Sequence, residues 1–322
     1  MTKALFAGAT GCAVVLGFAA LAASAQAAPT LIIRHAAMNV TIETEDRPDI
    51  AVDVYRPNAR LPLDVRQEGG NVVIDGHLID FLTTCHGSGQ GLHVLVLGRG
   101  DFDLQQMPQV QVHVPRDVVV ESDGIVHGVI TRSQSVNLRA DGCGDWTIAN
   151  VAGPLTARVS GIGDLRTGSS RSADVSLSGA GHMSVGNVAT QLTGQLSGAG
   201  AMDVVSAGSA DLGVSGSGGL RVGPIAGALS ARLSGAGDLK VVSVAGPVIA
   251  DVSGVGNVDI ESGHASTMQA DVSGTGHVDF KGVADSLNAS VSGIGSVDVT
   301  RVTGAVVQRV SGIGSVHVDQ HP

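Results

Sequence analysis

From Thr30 onward, apolar and polar residues alternate in short runs, and each run is cut by Gly, Ser or Pro. LIIRHAAMNVTIET (31–44), DIAVDVY (49–55), LDVRQEGGNVVIDGH (63–77), LHVLVLG (92–98) and VQVHVPRDVVVES (110–122) all follow a period of two. That period places alternate side chains on opposite faces of a strand. Gly69-Gly70, between two such runs, predicts a hairpin turn. No stretch sustains the spacing of an amphipathic helix, so the chain is predicted to be all-β.

Beyond these runs the pattern becomes periodic. Aligned on S-G-x-G, the first glycine falls at Gly161, Gly179, Gly198, Gly216, Gly235, Gly254, Gly274, Gly293 and Gly312. The intervals are 18, 19, 18, 19, 19, 20, 19 and 19, and every one of these glycines follows a serine. DGCGDW supplies a degenerate earlier copy at Gly142, and SDG at 122–124 is a further candidate. In the unit SGAGDLKVVSVAGPVIADV (234–252), Leu239 and Val241 share one face and Asp238 and Lys240 the other. Val248, Ala250 and Val252 share a face of the next strand. A unit of this length cannot bury its apolar face alone, but stacked coils can. The predicted fold is a parallel β-solenoid (β-helix) of ~19-residue coils with a strand-rich N-terminal section. The corner glycines are expected to supply positive φ at each turn, and stacked serine hydroxyls to bond one another or the corner backbone.

Composition agrees: 46 glycines stand against one Trp, one Tyr and five Phe, so the interior must be aliphatic and narrow. The first 27 residues differ from the rest. Lys3 precedes an apolar run from about Ala13 to Ala23, and Ala25-Gln26-Ala27 fits a signal-peptidase site. Cys12 precedes the apolar run rather than following it, which argues against a lipoprotein. The expected organisation is a signal peptide at 1–27, a strand-rich section with the first coils at 28–122, and the repetitive solenoid at 123–322. The mature chain is therefore expected to be exported, with no later helical membrane segment, and to reside in the periplasm or at the cell surface of a Gram-negative type envelope. Removing Lys3 with the leader leaves 18 Lys+Arg against 29 Asp+Glu, a net charge of −11. That charge disfavours nucleic acid and anionic lipid surfaces as partners.

Cys85 and Cys143 remain after processing, and in an oxidising compartment they read as one disulfide. The competing reading is a metal site from Cys85, His86 and Cys143, which lacks a C-x-x-C pair. The outward position two residues after G-x-G reads Arg166, Ser184, Asp203, Arg221, Lys240, Asp259, Asp279, Asp298 and His317. Asp259, Asp279 and Asp298 would stack as an acidic column, either a solvated face or a cation site. The densest polar group is Asp141, Asp145 and His127 beside Trp146, where a ligand patch competes with a simple seal at the junction. No catalytic, cofactor-binding or metal-ligating residue is assigned: G-x-S-x-G, H-E-x-x-H and the P-loop are absent, and no G-x-G opens a helix. The C-terminal SVHVDQHP offers no cap, which makes end-to-end association a possibility to test.

The VSGIGD, LSGAGD and VSGVGN corners, with VQVHVPRDVVVESDG and LIIRHAAMNVTIET before them, resemble the head GIN domain family of auto-transporter adhesins. The resemblance spans roughly residues 30–320. It implies a β-solenoid on an exported bacterial protein with no established catalytic residues. No membrane β-barrel follows the repeats, which favours the periplasm over self-secretion. The expected function is non-catalytic, adhesin-like binding or scaffolding at the cell envelope, with a protein or glycan as partner and no cofactor. The alternatives are a self-assembling rod joined through its last coil and a polysaccharide-active β-helix enzyme.

Overall fold

The computed structural model describes residues 28–78, 83–86 and 93–320. The predicted signal peptide lies outside them. The described chain has no helix and forms a β-solenoid of about 11 turns.

Nine strands build the N-terminal end: β1 (Thr30–Glu45), β2 (Ala51–Arg56), β3 (Asp64–Glu68), β4 (Asn71–Asp75), β5 (Thr83–His86), β6 (His93–Val96), β7 (Gly100–Asp103), β8 (Gln109–Pro115) and β9 (Asp117–Ile130). Strands β10 (Ser135–Cys143) to β28 continue the stack to Gln320. Every pairing among the strands from β9 on is parallel, each coil on the one before it. Equivalent residues therefore form columns. The outward column predicted from spacing is continuous: Arg166, Ser184, Asp203, Arg221, Lys240, Asp259, Asp279, Asp298 and His317 pair in succession. Inward, Leu220, Leu239 and Val258 stack, as do Ala231, Ala250, Ala270 and Ala289. These side chains are buried while their neighbours along the strand face out. The period-two pattern of the sequence is thus the wall of the rod.

The interior is narrow. Its two large aromatics are accommodated by glycine. Trp146 is buried against Gly128 of the preceding coil, where a Cβ would lie 2.7 Å from the indole Cδ2. Phe280 packs beside Gly282 in the same way.

The corner glycines serve a different purpose from the one expected. Left-handed φ occurs at Gly124, Gly142, Gly144 and Gly163, in the first of these corners, and not in the later ones. Elsewhere the constraint is contact between coils. A Cβ at Gly235 would overlap the carbonyl oxygen of Gly216 one coil back and lie 2.6 Å from Ser215. The same clash recurs with each preceding corner from Gly142 to Gly312. Only glycine lets two backbones approach this closely. The serine hydroxyls form no continuous ladder; it is the serine amides that bond the coil below, as Ser234 N does to Val214 O at 2.9 Å.

The N-terminal end is not threaded in chain order. β1 lies between β9 on one side and β4 and β8 on the other, all parallel to it. β4 and β8 thus make the first rung and β1 the second. The free edges of the first rung are covered by antiparallel strands, β3 on β4 and β2 on β8. Gly69 and Gly70 make the β3–β4 hairpin turn with φ of 57° and 91°. Charged Asp64, Arg66 and Glu68 line β3 and blunt its outer edge.

Between β4 and β8 the chain forms a small lobe. β5, β6 and β7 make an antiparallel sheet over a second core of Leu61, Leu78, Val94, Val96, Phe102 and Met107. That core rests on Ala37 and Ile125, corner residues of the solenoid. The disulfide Cys85–Cys143 fastens the lobe to the next corner.

At the other end, β27 (Val306–Val310) and β28 (Ser315–Gln320) form the last described coil. Val307, Val310 and Ile313 are exposed. The inward alanine column ends there in Gln308, which pairs with Ala289. A polar side chain therefore stands where the core would continue.

Candidate functional site

The outward column from Arg166 to His317 carries charges of both signs. Lys240 Nζ lies 3.9 Å from Asp259, Lys281 Nζ 3.4 Å from Asp279, and His277 Nδ1 3.2 Å from Asp298. Each member of the predicted acidic column thus has a basic neighbour. Like charges stack directly within that column, Asp259 on Asp279 on Asp298, and again at Asp251 and Asp271 on a different face. There, partial burial and then the Asp271 charge push the Asp251 carboxyl above its usual range.

The Asp141, Asp145 and His127 group does not converge into one set of ligand atoms. Asp145 is 2% exposed, and its carboxylate accepts the Asp164 amide at 2.9 Å, bracing the corner. Trp146 is core. Asp141 faces out, toward residues the sequence gives no reason to place beside it. The Cys85–Cys143 bond leaves no thiolate pair for a metal.

What the fold does assemble is a polar corner on the first coils. Asp75, His35 and Asp123 come from three successive rungs, β4, β1 and β9, and Asp141 from the next. His35 Nδ1 is 3.7 Å from Asp75 and its Nε2 is 3.8 Å from Asp123. His35 and His77 are the non-glycine residues with left-handed φ, 48° and 52°, and they flank Asp75 in space. Residues in that conformation are sparse and gather at binding sites.

Asp75 is nearly buried. Burial alone would raise its pKa. The His77 amide at 2.9 Å and the charges of His77, His35 and Arg66 outweigh that and hold it below the usual carboxylate range. Asp141 is held low as well. The Ser160 hydroxyl donates to it, partial burial opposes, and Arg139 Nε donates at 3.0 Å. An open depression of ≈ 360 Å³ runs along this corner, lined by Arg34, His35, Glu121, Asp123, Arg139 and Asp141.

These groups supply acceptors and donors in alternation, which suits a hydroxyl- or amine-bearing ligand. The His35 contacts are longer than hydrogen bonds and suit ion pairing. A second surface feature lies on the corner edge. Ile162, Val255, Ile294 and Ile313, each at the variable place of S-G-x-G, stand 59–83% exposed.

Residues 225–322 match the family model described as "Putative auto-transporter adhesin, head GIN domain". The resemblance read from the corner motifs is borne out over that stretch. The crystal structure of a putative adhesin from Bacteroides fragilis NCTC 9343 is similar at 14% identity over 90% of this chain and 92% of that one, with a TM-score of 0.26. No curated protein matches the sequence. Among the described residues, no helix is long and apolar enough to cross a membrane.

Proposed function

We propose that this chain is an exported, non-catalytic solenoid that acts by adhesin-like binding or scaffolding at the bacterial cell envelope. The observation that carries the reading is the continuous outward column from Arg166 to His317. A rigid wall with donors and acceptors repeating at one-coil spacing presents an extended surface to a protein or a glycan. The family match over 225–322 and the disulfide support the adhesin-like and exported parts of the reading.

The competing enzyme reading is tested directly. Mature protein incubated with a panel of envelope polysaccharides is expected to co-sediment with at least one of them and to release no new reducing ends. Growth of reducing ends with time would make the protein a polysaccharide-active enzyme and sink the proposal.

Self-association is a second reading, favoured by the exposed Val307, Val310 and Ile313 on the last described coil. Gln308 opposes it, because a second molecule stacked there would bury an amide in an apolar column. Light scattering of the oxidised mature protein decides between them. A monomer is expected, unchanged by Val316→Lys with Val318→Lys; a concentration-dependent oligomer that the double variant abolishes would establish assembly through this end.

A further inference from the structure

We propose that Glu43, Glu45 and His113 form a surface site for a divalent transition metal ion of the zinc class. Glu43 and Glu45 lie two apart on β1 and so share its outward face. His113 on β8 is the direct parallel partner of Glu43. The three ligand atoms all fall within 4.8 Å of one another.

The geometry at the imidazole carries the inference. His113 Nδ1 is 2.6 Å from Glu45 Oε1 and 4.0 Å from Glu43 Oε2. Both carboxylates thus converge on one ring nitrogen. That nitrogen carries at most one proton and can donate to only one of them. A metal ion at the same point engages all three donors. The other histidines with more than one carboxylate neighbour, His35 and His77, meet them through opposite ring nitrogens, which suits ion pairing.

One nitrogen and two oxygens, with solvent completing the shell, is a donor set for Zn²⁺ and its neighbours rather than for Ca²⁺, which takes six or more oxygens (roughly 6–8). The donors sit on paired strands of the first two rungs, so their spacing is set by the backbone ladder before any ion arrives. Glu43 and Glu45 are 42% and 46% exposed and His113 27%, leaving the outer side open for entry. Arg47 Nη1 stands 3.4 Å from the other oxygen of Glu45 and is drawn off by Asp49 at 3.2 Å. Its charge tempers the site without occupying it.

Calorimetric titration of ZnCl₂ into the chelator-treated, oxidised mature protein tests the proposal. One equivalent is expected to bind to the unaltered protein. His113→Ala and Glu43→Gln, both surface changes, are each expected to weaken that equivalent about tenfold or more. CaCl₂ in excess is expected not to displace it. Zn²⁺ is also expected to raise the thermal midpoint of the unaltered protein and not that of His113→Ala, since an ion joining β1 to β8 stabilises only the folded rungs. No binding by the unaltered protein, or the same stoichiometry and affinity in His113→Ala, overturns the site.

Discussion

Gly235→Ala is expected to destabilise the protein by about 3 kcal/mol or more, although it adds a single methyl group at a surface corner. The physical reason is where the new atom goes. It would overlap the Gly216 carbonyl and crowd Ser215, and both are backbone that is itself fixed by the coil below. A flexible side chain yields at small cost, whereas a backbone carbonyl inside a hydrogen-bonded ladder does not. The coil would have to lift away, stretching the bonds from Ser234 N and Ala236 N to Val214 and Gly216.

Gly219→Ala provides the internal control. It lies one coil back, three residues after the Gly216 corner, also has no left-handed φ, and has nothing within 4 Å of its Cβ position. Its effect is expected to stay within about 0.5 kcal/mol. Urea unfolding followed by far-ultraviolet circular dichroism compares the two. Equal midpoints for both variants would show that corner approach is not what demands glycine.

The second large effect is expected on reduction. Cys85 and Cys143 are separated by 58 residues, and the chain-entropy model assigns such a crosslink about 4 kcal/mol. The loss should be local. The lobe has its own small core, centred on Phe102, Val94 and Val96; it packs on the solenoid at Ala37 and Ile125, is joined to it by the disulfide, and shares a few hydrogen bonds with β1, as from Asn39 Nδ2 to Leu104 O. With Cys85→Ser and Cys143→Ser together, limited proteolysis is expected to cut first between residues 79 and 107, while the coils after β10 stay resistant. An unaltered cleavage pattern and midpoint would show that the lobe is held by packing alone.

The repetitive part of the fold was legible because its period is nearly constant. Once the glycines are aligned, every inward and outward column follows by counting, and Arg166 to His317 emerge in the predicted order. The end of the stack was not: SVHVDQHP suggests no cap, whereas Gln308 of the strand before it stands in the apolar column after Ala289. The polar corner was not. Its members stack in the order β4, β1, β9, whereas β1 comes before β4 in the chain. Period and propensity describe how a strand faces, not which strand lies beside it. The same limit explains the glycines, whose presence was evident while their reason, contact between coils, exists only after stacking.

The reversed threading also bears on how the molecule closes. In the repeats, a coil meets partners about one period away, as Asp164 N meets Asp145 at a separation of 19. β1 must instead wait for distant chain: Thr30 N bonds Asn71 Oδ1 at 41 residues, and Thr44 N bonds Thr131 Oγ1 at 87. Bringing ends together over 87 residues rather than 19 costs roughly 1.4 kcal/mol more in chain entropy before any contact forms. The later coils can zip up one upon another, each templating the next, whereas the first rungs are tied as a knot-free clasp whose halves are made far apart in time.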